Sequence, residues 1–207
     1  MNTNAVIFVL LLFAVSFIVL SLPPANINSI TQPTGGFHYG SVVCEWKHTW
    51  NAETNSYGDW ELIQPCQSNL ITNAGLGALG SVLNGTTVNL NATWVALGNA
   101  SAGYPLPTDT VINGEWNTCG LNNATGTSIG QGQGQWNVTK TFTSTCNNAM
   151  VNITGLYNSS KYGTGSPLYT GLTPLLFAEV NFTTFGTTLQ ANDQINVTWG
   201  IYITTSG

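Results

Sequence analysis

The chain has 207 residues, of which only 5% are charged, with a formal net charge of −5 and no arginine; an ordinary soluble domain carries roughly 25% charge. So few cations exclude a basic nucleic-acid surface, and aromatic residues at 11% of the chain argue against disorder, which goes with charge and few aromatics. Asn, Gln, Ser and Thr supply the polar surface instead, and such a surface hardly changes as carboxylates titrate near pH 4, which points to a harsh, acidic exterior.

Ala5 to Leu22 carries no charge and is closed by Pro23-Pro24. That length suits either the core of a cleaved signal peptide or a retained membrane anchor, and both mean export. Membrane contact is expected through this segment alone, residues 1–24. The prolines stop any helix there, so Ala25 to Tyr39, with Ile27, Ile30, Phe37 and Tyr39, reads as an extended arm. Residues 41–207 are then one β-domain.

Ser41–Trp50 and Asp59–Cys66 read as a hairpin around the loop Asn51–Gly58. If Cys44 faces Cys66, every facing pair sums to 110, which sets Trp50 opposite Trp60 and His48 opposite Leu62, with Trp46 on the same face. Paired aromatics stabilise a sheet, so the register supports a Cys44–Cys66 disulfide. Asn73 to Leu83 is the one helix candidate: Asn73 can cap it, Leu76, Leu79 and Leu83 share a face, and Gly85 can end it. Strands are expected over Asn91–Leu97, around Val111–Trp116, and over Trp136–Cys146, Val151–Tyr157, Pro174–Thr183 and Gln194–Thr204. Gly120 to Gln135 reads as a flexible Gly/Gln/Asn loop, tied off by a Cys119–Cys146 disulfide. Four cysteines without a C-x-x-C in an exported chain argue for two disulfides rather than a metal site. The fold implied is all-β, a single β-sandwich (Ig-like or jelly-roll-like) with one short helix.

In the closing run, Ile195, Val197, Trp199, Ile201 and Ile203 share one strand face and Asn196 and Thr198 the other. Asn196-Val197-Thr198 is also an N-x-T glycosylation sequon. Nine sequons occur, at Asn84, Asn91, Asn99, Asn123, Asn137, Asn152, Asn158, Asn181 and Asn196, where this composition gives about five by chance. Those at Asn137, Asn152, Asn181 and Asn196 fall on the expected outward side of four strands. Covalent N-glycans are therefore expected, and no cofactor.

No catalytic constellation stands out, and no enzyme is expected. His38 and His48, the only histidines, lack zinc-site spacing, and His48 reads as packed beside Trp46 and Trp50. Glu45 and Glu61 fall on the outward face of the first hairpin, where paired acids are usually just solvated, although a carboxylate pair can hydrolyse glycosides. No Ser lies in a G-x-S-x-G elbow. The seven tryptophans (Trp46, Trp50, Trp60, Trp94, Trp116, Trp136 and Trp199) sit at positions that suit core packing better than a sugar-binding platform.

Two resemblances follow. Asn69-Leu-Ile-Thr-Asn-Ala-Gly-Leu-Gly-Ala-Leu, Thr93-Trp-Val-Ala-Leu-Gly-Asn-Ala, Leu176-Phe-Ala-Glu-Val-Asn-Phe-Thr-Thr-Phe and Asp193-Gln-Ile-Asn-Val-Thr-Trp resemble small structural domains of phage tails and fibres, whose function is assembly. The order of leader, arm and disulfide-stapled sequon-rich β-domain is similar to subunits of archaeal surface threads from thermoacidophiles. That likeness implies an extracellular, N-glycosylated homopolymer built by donor-strand complementation, with residues 25–40 as donor arm and the strand Ile195–Ile203 as a wall of the receiving groove. A surface glycoprotein or lectin-like module, and a virion structural protein, are the alternatives.

Overall fold

The computed structural model describes residues 37–85, 91–100, 104–132, 134–159, 174–182 and 186–205. The leader, residues 1–24, and residues 25–36 of the expected arm lie outside them. In chain order the elements are β1 (Phe37–Asn51), β2 (Ser56–Ser68), β3 (Leu70–Ile71), α1 (Asn73–Leu83), β4 (Trp94–Gly98), β5 (Ala124–Thr125), β6 (Thr127–Gly132), β7 (Gln135–Thr143), β8 (Ala149–Val151), β9 (Ile153–Tyr157), β10 (Leu176–Asn181), β11 (Thr187–Leu189) and β12 (Gln194–Thr205). Among the described residues the protein is all-β with one short helix, and its two large sheets form a sandwich.

The first sheet has the order β2-β1-β12-β7-β6 and the second β3-β10-β9-β4-β5, while β8 and β11 pair by themselves. The two sheets meet across the main core. Val43, Val138, Phe142, Ile195, Val197 and Trp199 enter it from the first sheet, and Val95, Leu97, Leu156, Ala178 and Val180 from the second. Every residue of β9 is buried, because the second sheet is covered on its far side too. There Ile112 and Tyr104, from the segment after β4, join Ala96, Ile153, Tyr157 and Leu176 in a smaller apolar cluster. Burial on both faces gives a continuous apolar run in place of alternation.

The expected strand at Val111–Trp116 is part of that covering segment. Its main-chain pairing with the end of β4 is limited to the Gly98–Glu115 bridge and the hydrogen bonds Trp116 N–H to Leu97 O and Asn99 N–H to Gly114 O. The expected loop Gly120–Gln135 contains β5 and β6 instead, with β6 zipped antiparallel onto β7. Its main-chain bonds outweigh the poor strand propensity of Gly and Gln, and Gly132 (φ 80°) and Gly134 (φ 75°) turn the hairpin. The last residues of the expected arm are likewise strand: Phe37 pairs with Thr205 and Tyr39 with Ile203.

The helix has the expected bounds but a different cap and face. Thr72 is the N-cap, its Oγ1 accepting from Gly75 N–H while donating to the carbonyl of Leu176. Gly75 and Ala78 are the buried residues; of the three leucines, Leu79 packs against the main core as expected, whereas Leu76 is exposed and Leu83 is 73% exposed. The reason is close approach: a Cβ on Gly75 would collide with the carbonyl oxygen of Phe177 in β10. Small residues therefore face the sheet. At the other end Gly85 (φ 84°) ends the helix as its sequence suggests.

Candidate functional surface

With the second sheet covered, the outer face of the first sheet is the open face of the sandwich, and its composition follows from register. β1 runs against β12 without a break from Phe37 to His48, setting Val43 opposite Trp199, Glu45 opposite Val197 and Trp46 opposite Asn196. Directly opposed residues point the same way. Since Val197 and Trp199 are buried, Glu45 is drawn into the core, and Trp46 shares the outer face with Asn196.

The first hairpin is thus turned over relative to its expected facing. Glu45 is 1% exposed, and burial raises its carboxyl well above the ordinary value. Glu61, opposite Lys47 on β2, stays exposed, so the two acids form no catalytic pair.

The register also slips toward the turn. It sums to 110 at Val42–Ser68 and Val43–Gln67, then bulges move it, so that His48 faces Trp60 and Trp50 faces Tyr57. Bulges of this kind put two residues of one strand against one of the other. The Cys44–Cys66 and Cys119–Cys146 disulfides are both formed.

The outcome is an aromatic array on an open sheet face. His48 stacks on Tyr57 at 4.5 Å and on Trp60 at 4.4 Å, and Trp50 meets Tyr57 edge-on at 4.8 Å. The imidazole lies between two oxygens, with Nδ1 3.3 Å from Gln194 Oε1 and Nε2 against Gly58 O. No group of acids, His and Cys that could hold a metal occurs among the described residues. Trp60 is 43% exposed and Leu62 49%. Trp46, Trp60, Asn196 and Thr198 together line an open hollow of about 370 Å³. Of the other tryptophans, Trp199 is buried, Trp116 and Trp136 pack against the main core and Trp94 against the smaller one.

Two sequons share this face. Thr198 lies opposite Thr139 and Gly200 opposite Asn137, so Asn137-Val138-Thr139 and Asn196-Val197-Thr198 run antiparallel side by side. Their threonine hydroxyls are 3.1 Å apart. Asn196 Nδ2 donates to Thr141 Oγ1 at 2.8 Å, and its Oδ1 accepts from Thr198 Oγ1.

The other strand sequons are engaged differently. Asn152 Oδ1 accepts from Ala100 N–H and its Nδ2 donates to Ala100 O, which joins the start of β9 to the end of β4. Asn181 Nδ2 donates to Tyr104 O. Neither presents its amide outward as expected, because each closes a strand end against the covering segment. Asn123 and Asn158 are buried, and Asn84, Asn91 and Asn99 are exposed. The side chain of His38 is not among those described.

The edges of the first sheet differ. β2 carries Asp59, Glu61 and Pro65, whereas β6, Thr-Ser-Ile-Gly-Gln-Gly, has neither charge nor proline. All six residues of β6 are exposed, and among the described residues no strand lies beyond it. β12 is paired on both sides, so it offers no vacant ladder and is not the groove wall it was expected to be. No helix among the described residues is long and apolar enough to cross a membrane.

A disulfide-stapled all-β sandwich with one open, aromatic and sequon-bearing face is the class these features define. Two disulfides fit an oxidising, extracytoplasmic setting. Comparison of the chain with family models, curated proteins and solved structures finds no match.

Proposed function

We propose that this chain is a structural subunit of an extracellular, N-glycosylated filament at the cell surface, polymerising head-to-tail with copies of itself by donor-strand complementation. The observation that carries the reading is the β6 edge. Soluble β-proteins protect free edges with charge, proline or bulges; β2 carries charge and proline, whereas β6 has only a bulge at Gln131 near its end and leaves Thr127–Gly130 exposed without charge or proline. A strand from a second copy would satisfy that ladder with main-chain hydrogen bonds. A head-to-tail contact of that kind does not close on itself and propagates as a filament. Residues 25–36, which run up to the start of the compact unit at Gly35, are the candidate donor.

Electron microscopy of the secreted protein tests this. Wild type forms filaments, deletion of residues 25–36 abolishes them without stopping secretion, and Ile129→Lys, which places a charge on the β6 edge, does the same without lowering Tm. Filaments that persist in both variants sink donor-strand exchange. The exposed aromatic hollow favours a second reading, a lectin-like surface module. Glycan-array binding by a protein that never assembles would select it.

A further inference from the structure

We infer that the sugar covering the Trp46–Trp60 hollow is this chain's own: Asn196 is an N-glycosylation site whose first sugar residues seat in the hollow against the two indoles. The inference rests on the reading of the chain as a glycoprotein and goes beyond it, since it selects one of nine sequons and gives its glycan a resting place.

Geometry carries the argument. Asn196 and Thr198 are themselves walls of the hollow, together with Trp46 and Trp60, so a group grown from Asn196 begins inside it. An Asn amide has two N–H donors. Thr141 Oγ1 takes one, and the sugar replaces the other, so no hydrogen bond seen here has to break. Thr198 Oγ1 meanwhile donates to Oδ1 and holds the amide plane in place.

The hollow's volume lies within the range, roughly 300–1,000 Å³, of pockets that hold small organic molecules. Its walls are two large apolar rings beside hydroxyl and amide groups, which suits a pyranose, apolar on its C–H face and polar at its rim. Trp60 is 43% exposed, so part of its ring is free to be covered by a sugar. Asn137, the neighbouring sequon, does not line the hollow and serves as a control.

The transfer is a substitution at the anomeric carbon of a lipid-phosphate-linked oligosaccharide, delivered by a membrane oligosaccharyltransferase. The C1–N bond to Nδ2 forms and the C1–O bond to phosphate breaks. The lipid phosphate leaves with the bonding electrons, and Nδ2 gives up one proton to a base.

The test uses full-length protein secreted by its glycosylating host. Glycopeptide mass spectrometry reads occupancy at every sequon, and hydroxyl-radical footprinting reads the oxidation of each tryptophan. Asn196 is expected to be occupied, and Trp46 and Trp60 to oxidise several-fold faster in Thr198→Ala, which destroys the sequon, than in wild type or Thr198→Ser, which keeps it. Asn137→Gln should leave both rates unchanged. Loss of the Asn196 glycan should lower Tm by about 2–4 °C in wild type and by nothing in a Trp46→Ala/Trp60→Ala background.

Sugar at other sequons with Asn196 bare overturns this inference and leaves the glycoprotein reading intact; sugar at none overturns both. An occupied Asn196 with unchanged tryptophan oxidation overturns the seating. So does binding of free oligosaccharide to the hollow while Asn196 carries its glycan.

Discussion

Glu45 and Val197 stand directly opposite each other across the β1–β12 ladder, and both enter the core, so a carboxyl group lies where an aliphatic side chain belongs. Burial raises it well above its ordinary value. Glu179 on β10, also fully buried, is raised to about 8, first by burial and then by the neighbouring Asp109. Glu179 is therefore neutral in the folded protein across the acidic range, and burial shifts Glu45 in the same direction.

These two acids give stability a direction with pH. Below the ordinary carboxyl value of 4.5 folded and unfolded chains are both protonated, and the buried acids cost little. Above it the unfolded chain ionises while the folded one stays protonated, so stability falls until Glu179 itself ionises near pH 8. For Glu179 the loss over that window is of the order of 5 kcal/mol. Asp193 acts the other way. Burial alone would raise it, but the amides of Gln190 and Trp50 and the ammonium of Lys47 hold it below 3.8, so its contribution is present above 3.8 and lost as pH falls. Melting temperature is expected to peak between about pH 3.8 and 4.5 and to decline toward neutrality. Glu179→Gln should flatten the decline; a Tm that rises from pH 4.5 to 7 refutes the account.

That facing of β1 was not legible in the sequence. Trp46, His48 and Trp50 are apolar enough to be read as core, and Glu45 and Glu61 polar enough to be read as surface. What decides is the pairing of β1 with β12, some 150 residues away and invisible to a local pattern. β12 itself was legible, because Ile195, Val197, Trp199 and Ile201 alternate cleanly with a sequon. The helix bounds were legible through Asn73 and Gly85, but the Thr72 cap was not, and of the expected face only Leu79 packs against the core. Leucines are expected to face a core, and only the close approach of Phe177 explains why Gly75 and Ala78 do so.

Asp193 fastens the turn between β11 and β12 to β1. Its carboxylate accepts from Trp50 N–H and Gln190 N–H, both at 2.9 Å, and pairs with Lys47 Nζ at 3.1 Å while only 1% exposed. Asp193→Ala leaves the two amides and the half-buried ammonium without their acceptor. Breaking a buried pair from one side costs about 3–5 kcal/mol, which urea denaturation measures. A loss under 1 kcal/mol would show that water replaces the carboxylate.

The Cys119–Cys146 bridge spans 27 residues and holds the segment before Leu121 against the end of β7, where Thr145 N–H also donates to Cys119 O. Closing a loop of that size contributes about 3–4 kcal/mol. The double variant Cys119→Ser/Cys146→Ser should lose that much, and added dithiothreitol should lower the Tm of wild type at least as far, since it opens the Cys44–Cys66 bridge as well. A reductant-insensitive wild type would mean that the bridge does not form in the secreted protein.

The glycines of α1 separate helix propensity from packing. Gly75, Gly77 and Gly80 all sit in one helix, where alanine is preferred by about 1 kcal/mol. Nothing lies within 4 Å of a Cβ built on Gly77 or Gly80. Gly77→Ala and Gly80→Ala should each therefore stabilise by about 0.5–1 kcal/mol. At Gly75 the same methyl meets the Phe177 carbonyl and presses on Ile71, and neither backbone nor β-branched side chain yields cheaply. Overpacking of that kind costs about 1–3 kcal/mol, which exceeds the propensity gain, so Gly75→Ala should lower Tm while its two neighbours raise it. Equal shifts at all three positions would mean that α1 does not rest on β10 through Gly75.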